Sequence, residues 1–190
     1  MNRVAVLVML ALSACSTPAA SPPLAGAKIG GPFALTDQNG ATVTERSFAG
    51  QWRIMYFGYT FCPDVCPTDV ANLSRGLKAF AKVDAARAAR VKLIFVSVDP
   101  ARDTPAVLKS FTGAFDANMV GLTGSLKAIE EVAKAYGVAF SIAPGQKPDA
   151  YLVDHSRVAY LMDPAHKPIT LIPQDGTPQE IAAEIGKWVK

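Results

Sequence analysis

The chain has 190 residues, half of them apolar, and 19 Lys and Arg stand against 16 Asp and Glu for a formal charge of +3. That length is one domain's worth, and the apolar half supplies a proper core. The basic residues are dispersed without a basic run, which argues against a nucleic-acid partner, and no internal repeat points to a solenoid.

At the N-terminus, Arg3 precedes an apolar run, Val4 to Leu12, too short to span a membrane as a mature helix. Leu12-Ser13-Ala14-Cys15 follows and resembles the bacterial lipoprotein box. The resemblance implies a signal peptide over residues 1–14 and lipidation of Cys15; an ordinary signal peptide with a small-residue cleavage site is the alternative. A lipoprotein cysteine carries several acyl chains, enough for stable anchoring to a membrane. Residues 15–28, rich in Pro and Ala, read as the lipidated cysteine and a flexible tether reaching about 40 Å. Residues 29–190 are then the folded domain. Cleavage places that domain in the bacterial cell envelope, on the periplasmic side, where dithiols tend to oxidise.

Phe33–Thr36 and Thr42–Thr44 flank Asp37-Gln38-Asn39-Gly40, a hairpin signal. Trp52–Phe57 reads as a strand buried on both faces. It runs into YFGYTFCPDVCPT, Tyr56 to Thr68, where Pro67 is placed as the first residue of a helix with Cys66 as its cap. That helix extends to about Lys82, with Val70, Leu73, Leu77 and Phe80 at helical spacing. Val91–Val98 is a second apolar strand. Thr104 caps a helix opened by Pro105 that turns Val107, Leu108 and Phe111 inward. Met119–Leu122 is a strand, and Ser125–Tyr136 a helix stopped by Gly137. Val138–Ile142, Tyr151–Val153 and Val158–Met162 are strand candidates. Thr177-Pro178-Gln179-Glu180 is a capping box opening a last helix to about Val189. Alternating strands and helices predict an α/β fold with a central mixed sheet, largely parallel, and an antiparallel edge from the Tyr151–Met162 meander. Ligands of such sheets gather beyond the C-terminal ends of parallel strands, where the cysteines lie.

Cys62 and Cys66 are close enough in sequence to form a disulfide or to hold a soft metal ion together. A thiol at a helix N-terminus has its thiolate favoured, which the placement of the helix assigns to Cys66. A buried structural pair is the alternative. The sequence has two histidines. His155 ends the strand of Tyr151-Leu152-Val153-Asp154, beside an acidic residue. His166 lies in the turn-rich Asp163-Pro164-Ala165-His166-Lys167, where a solvated side chain is expected. Two thiolates and one imidazole give three ligands, one short of a closed zinc site. Thiolates select Cu(I), and an added imidazole makes Cu(II) tolerable.

YFGYTFCPDVCPT, VKLIFVSVDPARDTP and YLVDHS, in that order, resemble the Sco/SenC family of copper-binding assembly proteins for cytochrome c oxidase. The resemblance implies a thioredoxin-like fold and copper held by Cys62, Cys66 and His155. It also implies delivery of Cu(I) or Cu(II) to the copper-receiving subunit of the oxidase. Asp64 and Asp154 match positions flanking the ligands. A thioredoxin-like reductant and another copper carrier are further expected partners. One departure is the turn Asp163-Pro164-Ala165-His166, where the family often has Asp-x-x-Gly. The competing reading is a thiol–disulfide reductase using Cys62 and Cys66 as a redox disulfide. Against it stand the CxxxC spacing, a superfluous His155, and Asp149-Ala150 before Tyr151 where such enzymes place a proline. A thiol peroxidase fits a proline-flanked pair poorly. Delivery and reduction are compatible, because a dithiol target must be reduced to accept copper.

Overall fold

The structure, a computed structural model, describes residues 20–142, 147 and 150–190; the expected signal peptide and Cys15 lie outside the described residues. The Asn39-Gly40 turn closes a hairpin of β1 (Ala34–Asp37) and β2 (Thr42–Thr44), as expected. Gly40 adopts φ +84°, and Asp37 Oδ1 accepts from the N–H groups of Asn39 and Ala41, each at 2.8 Å. Three parallel strands form the middle of the sheet: β3 (Trp52–Gly58), β4 (Val91–Ser97) and β5 (Val120–Thr123). Every residue of β3 is buried, which explains its near-continuous apolar run. The helices are α1 (Val65–Val83), a short α2 (Ala85–Ala88), α3 (Pro105–Phe115), α4 (Leu126–Ala135) and α5 (Pro178–Trp188). Thr104, Ser125 and Thr177 cap α3, α4 and α5 through their side chains, and Thr177 with Glu180 completes a reciprocal box.

The C-terminal strands differ from expectation. β6 (Phe140–Ile142) and β7 (Val153–His155) form a separate two-stranded sheet, so β7 is no part of an edge meander. β8 (Ala159–Met162) pairs antiparallel with β3, and β9 (Pro168–Leu171) then forms the edge. The order among described residues is β2-β1-β5-β4-β3-β8-β9. The strand β9 escapes a pattern reading because it is four residues long and opens with Pro168, which has no ladder donor and suits an edge.

Two surface segments are also more ordered than their composition suggests. The end of the expected tether docks on the fold: the Leu24 N–H donates to Ile169 O at 3.0 Å, and Leu24 packs on the core. His166 is not a solvated turn residue. Asp163 Oδ1 accepts from the N–H groups of Ala165 (2.9 Å) and Lys167 (2.8 Å), and His166 takes φ +67°. That left-handed position is where a glycine would ordinarily sit. Its ring is held by Arg53, which is 1% exposed. The Arg53 guanidinium donates to His166 Nδ1 and, at 3.0 Å, to Asp163 O. Arginine only donates, so Nδ1 presents its lone pair.

Candidate metal centre

Helix α1 begins at Val65 with Asp64 as its cap, two residues earlier than Pro67 suggests. Pro67 is tolerated at the third position because first-turn N–H groups have no partner within the helix. Cys66 is therefore inside the first turn, and Cys62 precedes it. The N–H groups of Cys66, Asp64 and Val65 converge on the Cys62 sulfur. Burial pushes the Cys62 thiol up, but these N–H groups and a hydrogen bond with Cys66 outweigh it and hold the pKa below the ordinary value. Cys66 is wholly buried, and that burial pushes its thiol up to about 12 despite a hydrogen bond from the Tyr59 N–H. The favoured thiolate is thus Cys62, a correction to the expectation for Cys66. Both thiols are free. Glycine at position 58 permits the close approach: a Cβ there would lie 3.0 Å from Cys66 Sγ.

The strand β7 delivers His155 to this pair. His155 Nε2 lies 3.1 Å from Cys66 Sγ, and Nδ1 lies 3.1 Å from Ser156 O. A carbonyl only accepts, so Nδ1 carries the proton and Nε2 turns its lone pair on the sulfur. Burial lowers the His155 pKa, which keeps the ring neutral. Tyr59 stands edge-on to the imidazole, with ring centroids 5.9 Å apart. Among the described residues, no three His, Cys, Asp or Glu side chains form a ready-made metal cage; Cys66 and His155 instead meet in a direct hydrogen bond. Asp64 and Asp154 are exposed. The Asp64 carboxylate makes no capping bond, and Asp154 acts on His155 as a nearby charge that favours the imidazolium.

Three charged residues that sequence reasoning missed organise the surroundings. Asp103 is fully buried and accepts from Thr60 N (3.0 Å), Thr60 Oγ1 (2.6 Å) and Ser97 Oγ (2.6 Å). It thereby ties the cysteine loop to the end of β4. Arg102 lies 3.6 Å over the Tyr151 ring, donates to Tyr151 O at 2.9 Å and pairs with Asp99. It also faces the rings of Phe61 and Tyr59, so it clamps the cysteine loop to the approach of β7. Asp69 is fully buried on α1, within hydrogen-bonding distance of Tyr56 and Arg157. An acidic residue beside Val70 on the apolar stripe of a helix was the available signal for Asp69. For Asp103 and Arg102 it was the quoted run VDPARDTP.

The sequence model of the family described as SCO1/SenC matches residues 21–190. Protein SenC of Rhodobacter capsulatus is 42% identical over 162 residues, covering 85% of this chain and 71% of that protein. The chain spans about half the length of the mitochondrial relatives it matches. Among solved structures, Bradyrhizobium japonicum ScoI with copper bound shares 42% identity and a TM-score of 0.75, covering 84% of this chain and 99% of that one. BsSco, a member of the Sco family of cytochrome c oxidase assembly proteins, shares 28% identity and a TM-score of 0.65, covering 86% of this chain and 95% of that one. The fold is thioredoxin-like, as in these Sco structures. By the extent of these matches, from the segment docked on β9 to the last helix, the chain belongs to the SCO1/SenC family.

Proposed function

We propose that this chain binds copper through Cys62, Cys66 and His155 and delivers it to the copper centre of cytochrome c oxidase. The carrying observation is the imidazole lone pair of His155, set 3.1 Å from the sulfur of Cys66, one of two free thiols, by the bond from Nδ1 to Ser156 O. This donor set suits copper. Two sulfurs satisfy Cu(I), and the nitrogen extends the site to Cu(II). Cys62, Cys66 and His155 would hold the copper ion, and because thiols bind metal as thiolates, loading should release protons. Copper bound in the related ScoI supports the choice of metal. The test is a copper titration of the reduced protein beside its Cys62–Cys66 disulfide form. Reduced protein should take up one equivalent and the disulfide form almost none, with binding restored by reduction. Tight uptake by the fully oxidised protein would contradict the site.

A second reading, a thiol–disulfide reductase acting on the oxidase subunit's cysteines, is favoured by one observation. Cys62 has a lowered pKa and Cys66 a raised one, the asymmetry of an attacking and a resolving thiol. The two roles coexist if the pair first reduces the target dithiol and then, itself re-reduced by a thioredoxin-like partner and loaded by a copper carrier, supplies the metal.

Leu12-Ser13-Ala14-Cys15 supports lipid anchoring on the periplasmic side of the envelope. Among the described residues no helix is long and apolar enough to cross a membrane. Intact mass of the membrane fraction should show a chain starting at acylated Cys15. An unmodified chain beginning elsewhere, or membrane retention of Cys15→Ser, would sink this proposal.

A further inference from the structure

Beyond His155, the side chain of Arg157 crosses back to helix α1. Its Nε and Nη2 donate to the two carboxylate oxygens of Asp69 at 2.9 and 2.6 Å. Asp69 is 0% exposed, lies one helical turn beyond Cys66, and accepts a further bond from the Tyr56 hydroxyl at 2.8 Å. A second tie runs alongside the first. Gln174 Nε2 donates to the Arg157 carbonyl at 3.2 Å, and Asn72 Nδ2, one turn further along α1, donates to the Gln174 carbonyl at 3.3 Å. Ser156 hooks the same segment to the start of β6: its N–H donates to Ala139 O at 2.9 Å, and its Oγ accepts from the Ala139 N–H at 3.1 Å. His155 therefore sits on a stretch pinned from both sides.

Asp69 is fully buried while the Arg157 side chain is 39% exposed, and stripping a carboxylate of water for such a pair is a poor way to gain stability, since apolar residues do as well or better. What a two-pronged Arg–carboxylate pair adds is direction and distance, because the planar fork fits in one orientation. One end of this fork is anchored three residues after Cys66 and the other two residues after His155. We infer that Asp69 and Arg157 are positioning residues that set the separation of Cys66 and His155 and thereby the capacity of the site for Cu(II). The inference rests on the copper-site reading above. Cu(I) accepts two sulfurs alone, whereas Cu(II) needs the nitrogen held in place.

The experiment uses the full chain as Arg157→Gln, as Arg157→Lys, and as the double variant Asp69→Asn/Arg157→Gln, which leaves no unpaired buried carboxylate. Each is loaded with Cu(II) and separately with Cu(I), and thermal unfolding is recorded beside the nitrogen coupling in the Cu(II) electron paramagnetic resonance spectrum. Outer-shell substitutions cost about tenfold to a hundredfold in metal affinity. Cu(II) binding should weaken by that factor in all three variants, with altered nitrogen coupling. Cu(I) binding should stay within a few-fold of wild type. Lysine should not rescue, because a single ammonium lacks the fork. Unchanged Cu(II) affinity and coupling in Arg157→Gln would overturn the inference. So would full rescue by lysine, which would make the effect one of charge, or equal losses of Cu(I) and Cu(II) that follow the unfolding temperature. Failure of the underlying reading looks different: His155→Ala in the otherwise wild-type chain would leave the Cu(II) spectrum unchanged.

Discussion

At Cys62 and Cys66 one functional group meets two environments. Backbone N–H groups at the start of α1 collect on the Cys62 sulfur, while Cys66 is enclosed at 0% exposure with its pKa pushed up to about 12. A lowered pKa means that Cys62 deprotonates first as pH rises. Alkylation of the reduced protein should therefore begin at Cys62, at lower pH than for an ordinary thiol, while Cys66 lags into strongly alkaline solution. Peptide mapping after timed iodoacetamide treatment reads this directly. Equal rates at the two sites, or faster modification of Cys66, would refute the assignment. The sequence does carry the physics of this asymmetry, a thiol at a helix N-terminus, but not the cysteine it applies to. That depended on starting the helix at Val65 and not at Pro67, a shift the proline disguises. Asp64, between the two cysteines, and Asp154, next to His155, are close to the candidate site in sequence yet exposed in space. Asp103 reaches the cysteine loop from 43 residues away, across strand β4. No local pattern reports a contact of that range.

Among elements, α1 and α5 pack closely at Gly76, where an added Cβ would lie 2.2 Å from Ile181 Cγ2 and 2.5 Å from Ile181 Cβ. Alanine gains about 1 kcal/mol over glycine in helix propensity, while overpacking a well-packed core costs about 1–3 kcal/mol. The clash involves the branched Cβ of Ile181 and not a flexible tip, so overpacking wins. Gly76→Ala should lower the urea midpoint of unfolding with its slope unchanged; an equal or raised midpoint would show that the helices can move apart freely. The caps of α3, α4 and α5 were readable because Thr or Ser before Pro or an apolar run has a local cause. The edge strand β9 and the departure of β7 into its own sheet were not. Both are settled by which strand partners are free, a tertiary matter that a three- or four-residue strand cannot announce.

Over the whole molecule, three separated pieces of chain meet beyond the C-terminal ends of β3 and β4. They are the cysteine loop, the turn bearing Asp99, Arg102 and Asp103, and the strand end bearing His155. The YFGYTFCPDVCPT and YLVDHS runs made the first and third of these legible as chemistry. The second was legible only as part of a resemblance, since its role lies in contacts with Thr60, Tyr151 and Ser97. The most direct test of copper delivery is His155→Ala, scored in cells that lack the wild-type protein and again on the purified chain. Expected are loss of the coloured Cu(II)–thiolate complex, a smaller loss of Cu(I) binding, little change in dithiol–disulfide exchange, and failure of oxidase assembly. Normal oxidase assembly by a variant whose Cu(II) complex is gone would contradict copper delivery, and would leave thiol reduction as the function of the pair.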